Sequence, residues 1–175
     1  GLFREGRGLL PLADAMRQLP EAALVCIGEG PLKRDLRERV GTQRLHLLPF
    51  TPPDTLRRLT PDATLGAILA RPLTESLRMG LPNKLFEYAA AGVPTLAGAG
   101  IEPLAALVRE FGAGCAVDPD DESAVLGALR EALFDADALG RFREGARALH
   151  RAHSWERERE TFLTAFSPLL DAVVA

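Results

Sequence analysis

Short apolar runs alternate with amphipathic segments along most of this chain, and that alternation limits the fold more than any single residue does. Strand patterns fall at 22–28 (AALVCIG), 44–48, 64–70, 94–97 and 114–118. Helical patterns lie around them at 8–18, 31–40, 53–60, 82–91 and 102–111. From residue 121 the pattern is nearly all helical, at 121–134, 137–152 and about 154–173, while 71–81 reads as an irregular loop. Parallel strands need helix-length crossovers, so this order implies a mostly parallel sheet covered on both faces. The predicted fold is therefore α/β, a doubly wound parallel sheet with extra carboxy-terminal helices. Ligands of such sheets bind beyond the carboxyl ends of the strands. The loops after Gly28, Leu48, Ala70, Ala97 and Asp118 should form the rim of a site.

One stretch on that rim carries chemistry. Residues 82–94 (PNKLFEYAAAGVP) read as a short helix with a sharp start and a sharp stop. Pro82 lacks the N–H that a first turn leaves unpaired, and Asn83 is a good capping type. Gly92 suits a left-handed stop, and Pro94 prevents continuation. Lys84, Glu87 and Tyr88 are spaced to share one face. A helix start beside a lysine suits an anion such as a diphosphate. A glutamate one turn further suits a pair of sugar hydroxyls, because a carboxylate accepts from both at once. Together these features point to an enzyme that handles a nucleotide-sugar.

Composition narrows the classes. The 175 residues are 47% hydrophobic, enough for one sizeable core. With 21 basic and 24 acidic residues, the net charge of −3 gives no whole-chain attraction to nucleic acid or membrane. No run approaches the about 18 apolar residues of a membrane span, and no signal peptide is readable. Cys26 and Cys115 lie in apolar strand patterns and read as buried hydrophobes of a reducing compartment, so the expected location is cytoplasmic. Residues 1–8 (GLFREGRG) read as a loop after a strand, yet that strand is missing and no initiator Met is present. The expectation is a piece cut from a longer chain, or a sheet that closes without its first strand.

Three other motifs are set aside. Asp118-Pro119-Asp120 and Asp135-Ala136-Asp137 match the aspartate pair of metal-dependent sugar transfer. The first, however, precedes a helix where Asp and Ser123 serve as caps, and the second sits at a helix break. Gly28-Glu29-Gly30 begins like a dinucleotide fingerprint, but Lys33 occupies the third glycine position. His46, His150 and His153 form no readable catalytic grouping.

Five pieces in order resemble one known family. They are residues 1–8, Leu24-Val25-Cys26-Ile27-Gly28-Glu29-Gly30-Pro31, Leu45-His46-Leu47-Leu48-Pro49-Phe50, residues 82–94, and His153-Ser154-Trp155-Glu156. The sequence is similar to the carboxy-terminal, donor-binding domain of retaining GT-B-fold glycosyltransferases of family 4, or group 1. The resemblance implies a Rossmann-like domain over 1–152 that binds a nucleoside-diphosphate sugar. It also implies a helix over 153–175 that packs back toward an amino-terminal acceptor domain absent from this sequence. The activity implied is metal-independent, hexosyltransferase-type transfer with retention and no cofactor. Any membrane contact would come through the missing domain.

Roles carry over by position. Glu87 matches the glutamate that binds the ribose hydroxyls. Lys84 and Arg7 match the cations on the diphosphate, Arg7 standing where relatives carry lysine. Asn83 and the backbone N–H of Leu85 would face the phosphate, and Pro49 would flank the base. Two departures stand out. Leu2 replaces a common arginine, for which Arg4 is the candidate substitute. Met79 replaces a glutamate eight residues before Glu87, leaving Glu75 or Arg78 to face the sugar. The isolated chain should not turn over. The competing readings are a nucleotide-sugar epimerase of the same fold, for which no acid–base pair is visible, and a non-catalytic nucleotide-binding or scaffold domain.

Overall fold

The computed structural model describes the backbone of residues 1–174 and the side chains of residues 1–167. The chain order is α1 (Leu9–Met16), β1 (Leu24–Ile27), α2 (Lys33–Val40), β2 (Leu45–Leu48), α3 (Pro53–Leu59), β3 (Gly66–Ile68), α4 (Glu75–Arg78) and α5 (Asn83–Ala90). It continues with β4 (Thr95–Gly98), α6 (Glu102–Glu110), β5 (Gly114–Val117), α7 (Glu122–Phe134), α8 (Ala136–Ala152) and α9 (Trp155–Val174). A 3-10 turn, Thr60–Asp62, extends α3. Residue 175, the end of the expected final helix, lies outside the described residues.

Every strand pair is parallel, as expected. The strands nevertheless form two sheets among the described residues, β1-β2 and β3-β4-β5, rather than one. Residues 1–8 lie between them. Leu2 makes an isolated parallel bridge to Glu29, and the Phe3 N–H donates to the Glu29 carbonyl at 2.7 Å. On the other flank, the Arg71 N–H donates to the Gly6 carbonyl at 2.9 Å. This loop therefore links the carboxyl ends of both sheets.

Neighbouring residues of the central strands join different cores, so the sheet is covered on both faces. Leu69 and Leu96 belong to one core with Leu12, Met16, Leu36, Val125 and Leu129 from α1, α2 and α7. Ile68, Ala70 and Ala97 face the other core, with Leu85, Leu104, Val108 and Leu149 from α5, α6 and α8. Successive strand residues point to opposite faces, so each short strand supplies both. Arg44 adds a polar tie, its guanidinium donating to the carbonyls of Met16 and Leu19 at 2.8 and 2.9 Å. Those carbonyls end α1 and its following turn, where each also accepts one turn N–H, from Leu19 and Ala22 respectively.

The joint between α8 and α9 is anchored. The His153 ring meets Phe86 and Phe111 edge-on, with centroids 6.1 and 5.7 Å away. Beyond it, α9 leaves Trp155, Phe162, Leu163 and Phe166 exposed, with Phe162 and Phe166 stacked at 4.3 Å. Among the described residues, no helix is long and apolar enough to cross a membrane.

Leu104 has no exposed surface. Leu104→Ala should cost about 2–5 kcal/mol of unfolding free energy. Denaturant titration checks this, and a loss below about 1 kcal/mol would place the second core elsewhere.

Candidate functional site

The site is built on the loop between the sheets and on the start of α5. Gly8 closes the loop with φ +70°, and a Cβ there would lie 1.9 Å from the Leu69 carbonyl oxygen. Only glycine combines that backbone conformation with so close a passage to β3. The loop exposes Arg4 and Arg7. Both border an open groove of about 250 Å³, whose other lining residues are Glu5, Gly6, Leu73, Thr74 and Leu77. A larger depression of about 450 Å³ lies between Asp14, Arg17, Gln18 and Glu122 and includes none of the expected site residues.

The start of α5 differs from the expectation in one detail. Pro82, not Asn83, holds the cap position, with an extended ψ of 134°, and no side chain caps the helix. Proline's fixed φ is already compatible with that extended entry, so Asn83 becomes the first helical residue. The Leu85 N–H donates to the Pro82 carbonyl at 3.0 Å, so its expected role toward phosphate is corrected: the tight first turn uses it internally. The amides of Asn83 and Lys84 have no carbonyl one turn back to bond. Gly92 ends the helix region as expected, at φ +67°.

Lys84 reaches from α5 back to the loop. Its Nζ stands 3.4 Å from where a Cβ on Gly1 would lie. Although the residue as a whole is exposed, its ammonium end is crowded, and its pKa is lowered. Burial is the largest cause and the Arg7 guanidinium the next, while Glu87 opposes both. The Arg7 charge thus acts on the Lys84 ammonium. Glu87 is exposed on the same helix, and no Lys84–Glu87 ion pair forms among the described residues. Tyr88, expected beside them, is half-buried with its ring against Gly66, and burial pushes its phenol up to about 12. Tyr88 therefore serves packing. Cys26 is buried, its thiol pushed up to about 11 by burial, with Lys84 pulling the other way.

The remaining candidates scatter. Residues 75–78 form α4 instead of loop, because Thr74 caps it by accepting from the Leu77 N–H at 3.2 Å. Glu75 and Arg78 lie on this exposed turn and face each other at 3.7 Å, and neither lines the groove. Met79 is also exposed. Pro49 follows β2 at the surface, its carbonyl accepting from the Thr51 hydroxyl at 2.9 Å. Asp121 and Asp135 cap α7 and α8, while Ser123 donates to Asp121 instead of capping. Sequence reasoning missed Leu73, Thr74 and Leu77 as groove walls. Thr74-Glu75 was the available signal, a capping type ahead of a helix-former.

An isolated lowered lysine makes the folded state bind fewer protons than the unfolded one just below the usual lysine range. Its contribution therefore rises as pH climbs from its lowered pKa toward 10.5. Lys84→Met should raise the melting temperature of the unliganded protein at neutral pH, an advantage that shrinks toward pH 10.5. A lower melting temperature across that range would contradict the crowding of Lys84.

The model of one protein family, glycosyl transferases group 1, matches residues 1–135. No curated protein matches the chain at a significant level. Among solved structures, the chain is similar to the sucrose-phosphate synthase of Thermosynechococcus elongatus, with a TM-score of 0.77 and 21% identity over 98% of this chain and 44% of that one. It is similar to WaaG, a glycosyltransferase involved in lipopolysaccharide biosynthesis, with a TM-score of 0.72 and 21% identity over 88% of this chain and 42% of that one. It is also similar to Anabaena Alr3699/HepE in complex with UDP, with a TM-score of 0.73 and 15% identity over 94% of this chain and 47% of that one. The chain spans less than half the length of these three structures. These likenesses show a GT-B-type Rossmann-like fold.

Proposed function

The chain belongs to the glycosyl transferases group 1 family, and from that premise we propose that it binds the nucleoside-diphosphate part of a sugar donor for retaining transfer. The observation that carries this reading is the Lys84 ammonium reaching from the start of α5 to residue 1 of the loop, where burial first and the Arg7 charge second hold its pKa down. An isolated fold gains nothing from such crowding, whereas a bound diphosphate relieves it. The binding of UDP by the similar Anabaena protein supports a nucleotide as the ligand class.

The chemistry proposed is positional and electrostatic. Arg7 offers a fork of N–H donors to phosphate oxygens, and Lys84 a compact charge. The amides of Asn83 and Lys84 add the positive end of the helix. As the sugar–phosphate bond breaks, negative charge grows on the leaving diphosphate, and contacts that strengthen then lower the barrier. These groups supply positive charge themselves, so the transfer is proposed to proceed without a metal. Glu87 accepts from the ribose hydroxyls and fixes the nucleoside end, while Pro49 flanks the base. The acceptor is proposed to lie on a preceding domain, across a cleft this chain only half forms.

Calorimetric titration with UDP, GDP and ADP, without metal and then with magnesium, tests the reading. One nucleotide should bind without metal. Glu87→Ala should weaken it roughly 10- to 100-fold, the loss of hydrogen bonds to a charged group. Absence of binding to all three, with or without magnesium, would refute it. The chain alone should release no sugar to an acceptor beyond the uncatalysed rate. Transfer by the isolated chain would show that the cleft is already complete.

A further inference from the structure

The acidic pair set aside as a metal motif has a different use. Arg71, the third residue beyond β3, forms an ion pair with Asp120, the third residue beyond β5. The pair crosses the carboxyl end of β4, which lies between those two strands. The backbone there is small: a Cβ on Gly98 would lie 2.6 Å from the Ala70 carbonyl oxygen and 3.4 Å from Pro119, and one on Gly100 2.9 Å from Pro72. Loops from both neighbours can therefore close over β4. Asp118 aims its partner, accepting from the Asp120 N–H at 2.9 Å.

What Arg71 holds is the site loop. Its N–H donates to the Gly6 carbonyl, and its own carbonyl accepts from the Leu73 N–H at 2.9 Å. The Leu73 side chain in turn covers Gly6, where a Cβ would fall 2.3 Å from its Cδ1. Gly6 precedes Arg7. The Arg71 Nε is buried and unpartnered among the described residues. A buried donor without a protein partner disfavours this placement, so the Arg71 side chain is held there by its other contacts.

We infer that Arg71 and Asp120 are positioning residues, a clasp over β4 that holds the 71–73 segment against Gly6 and thereby sets Arg7 opposite Lys84. The inference rests on the donor-site reading for its consequence, though the clasp itself does not. The clasp is partly exposed at both ends. Its effect is therefore modest: an exposed pair is worth roughly twofold to fivefold.

The test compares the unaltered chain with Asp120→Ala, Asp120→Asn and the charge swap Arg71→Asp/Asp120→Arg. Hydrogen exchange at the Arg71 and Leu73 amides reads the clasp, UDP, GDP and ADP titration reads the site, and melting temperature reads global stability. Both single variants should exchange these two amides about twofold to fivefold faster and bind the nucleotide weaker by a similar factor. Their melting temperatures should stay close to the parent's, and the swap should recover part of both losses. Unchanged exchange in both single variants overturns the clasp, whatever the nucleotide does. Faster exchange with unchanged affinity overturns its role in placing Arg7. If the unaltered chain binds none of the three nucleotides, the donor reading fails and the positioning role with it. Exchange then still decides whether the clasp exists.

Discussion

The passage of residues 1–8 between the two sheets is the constraint on which the rest of the structure depends. Neither the two-stranded nor the three-stranded sheet is hydrogen-bonded to the other directly. The loop bonds to Glu29 and Leu32 on one side and to Arg71 on the other. It must also pass Leu69 so closely that only glycine fits at position 8. The same few residues carry Arg4 and Arg7, so the element that joins the sheets also displays the charge.

That economy has an electrostatic consequence. Arg7 comes from the loop and Lys84 from α5, two elements held by different contacts, and their charges meet only because both elements end at the same edge. The crowding disfavours the charged lysine in the unliganded state, and under the proposed function one diphosphate answers both cations and the helix start. Around this point the fold uses small groups where loops must approach: Gly98 and Gly100 under the clasp, Gly66 under Tyr88. The proposed function depends on where backbones come close more than on any reactive side chain.

The strand–helix alternation was legible because strands write near-continuous apolar runs, TLAG where both faces are buried and LVCI even though Val25 is exposed. The Gly92 stop was legible because a left-handed residue followed by proline has few other uses. Other details were not. Asn83 looked like a cap from residue type, but the extended conformation of Pro82 moved the helix start by one position. The Leu85 amide looked available until the tight first turn used it. Residues 71–81 lack a clear period, so the short α4 was invisible without the Thr74 hydroxyl bond that creates it. Arg71 and Asp120 lie 49 positions apart, and no local pattern joins them. The division into two sheets was hidden for the same reason, since pairing is a long-range property that periodicity does not encode.

The most direct test of the central claim is a residue-resolved NMR titration of the amide signals with the nucleoside diphosphate that binds. The account predicts that the signals of Gly6, Arg7, Gly8, Asn83 and Lys84 move first and furthest, with those around Glu87 following. Saturable shifts centred on the Asp14–Gln18 and Glu122 depression, with the loop and the α5 start unmoved, would contradict it.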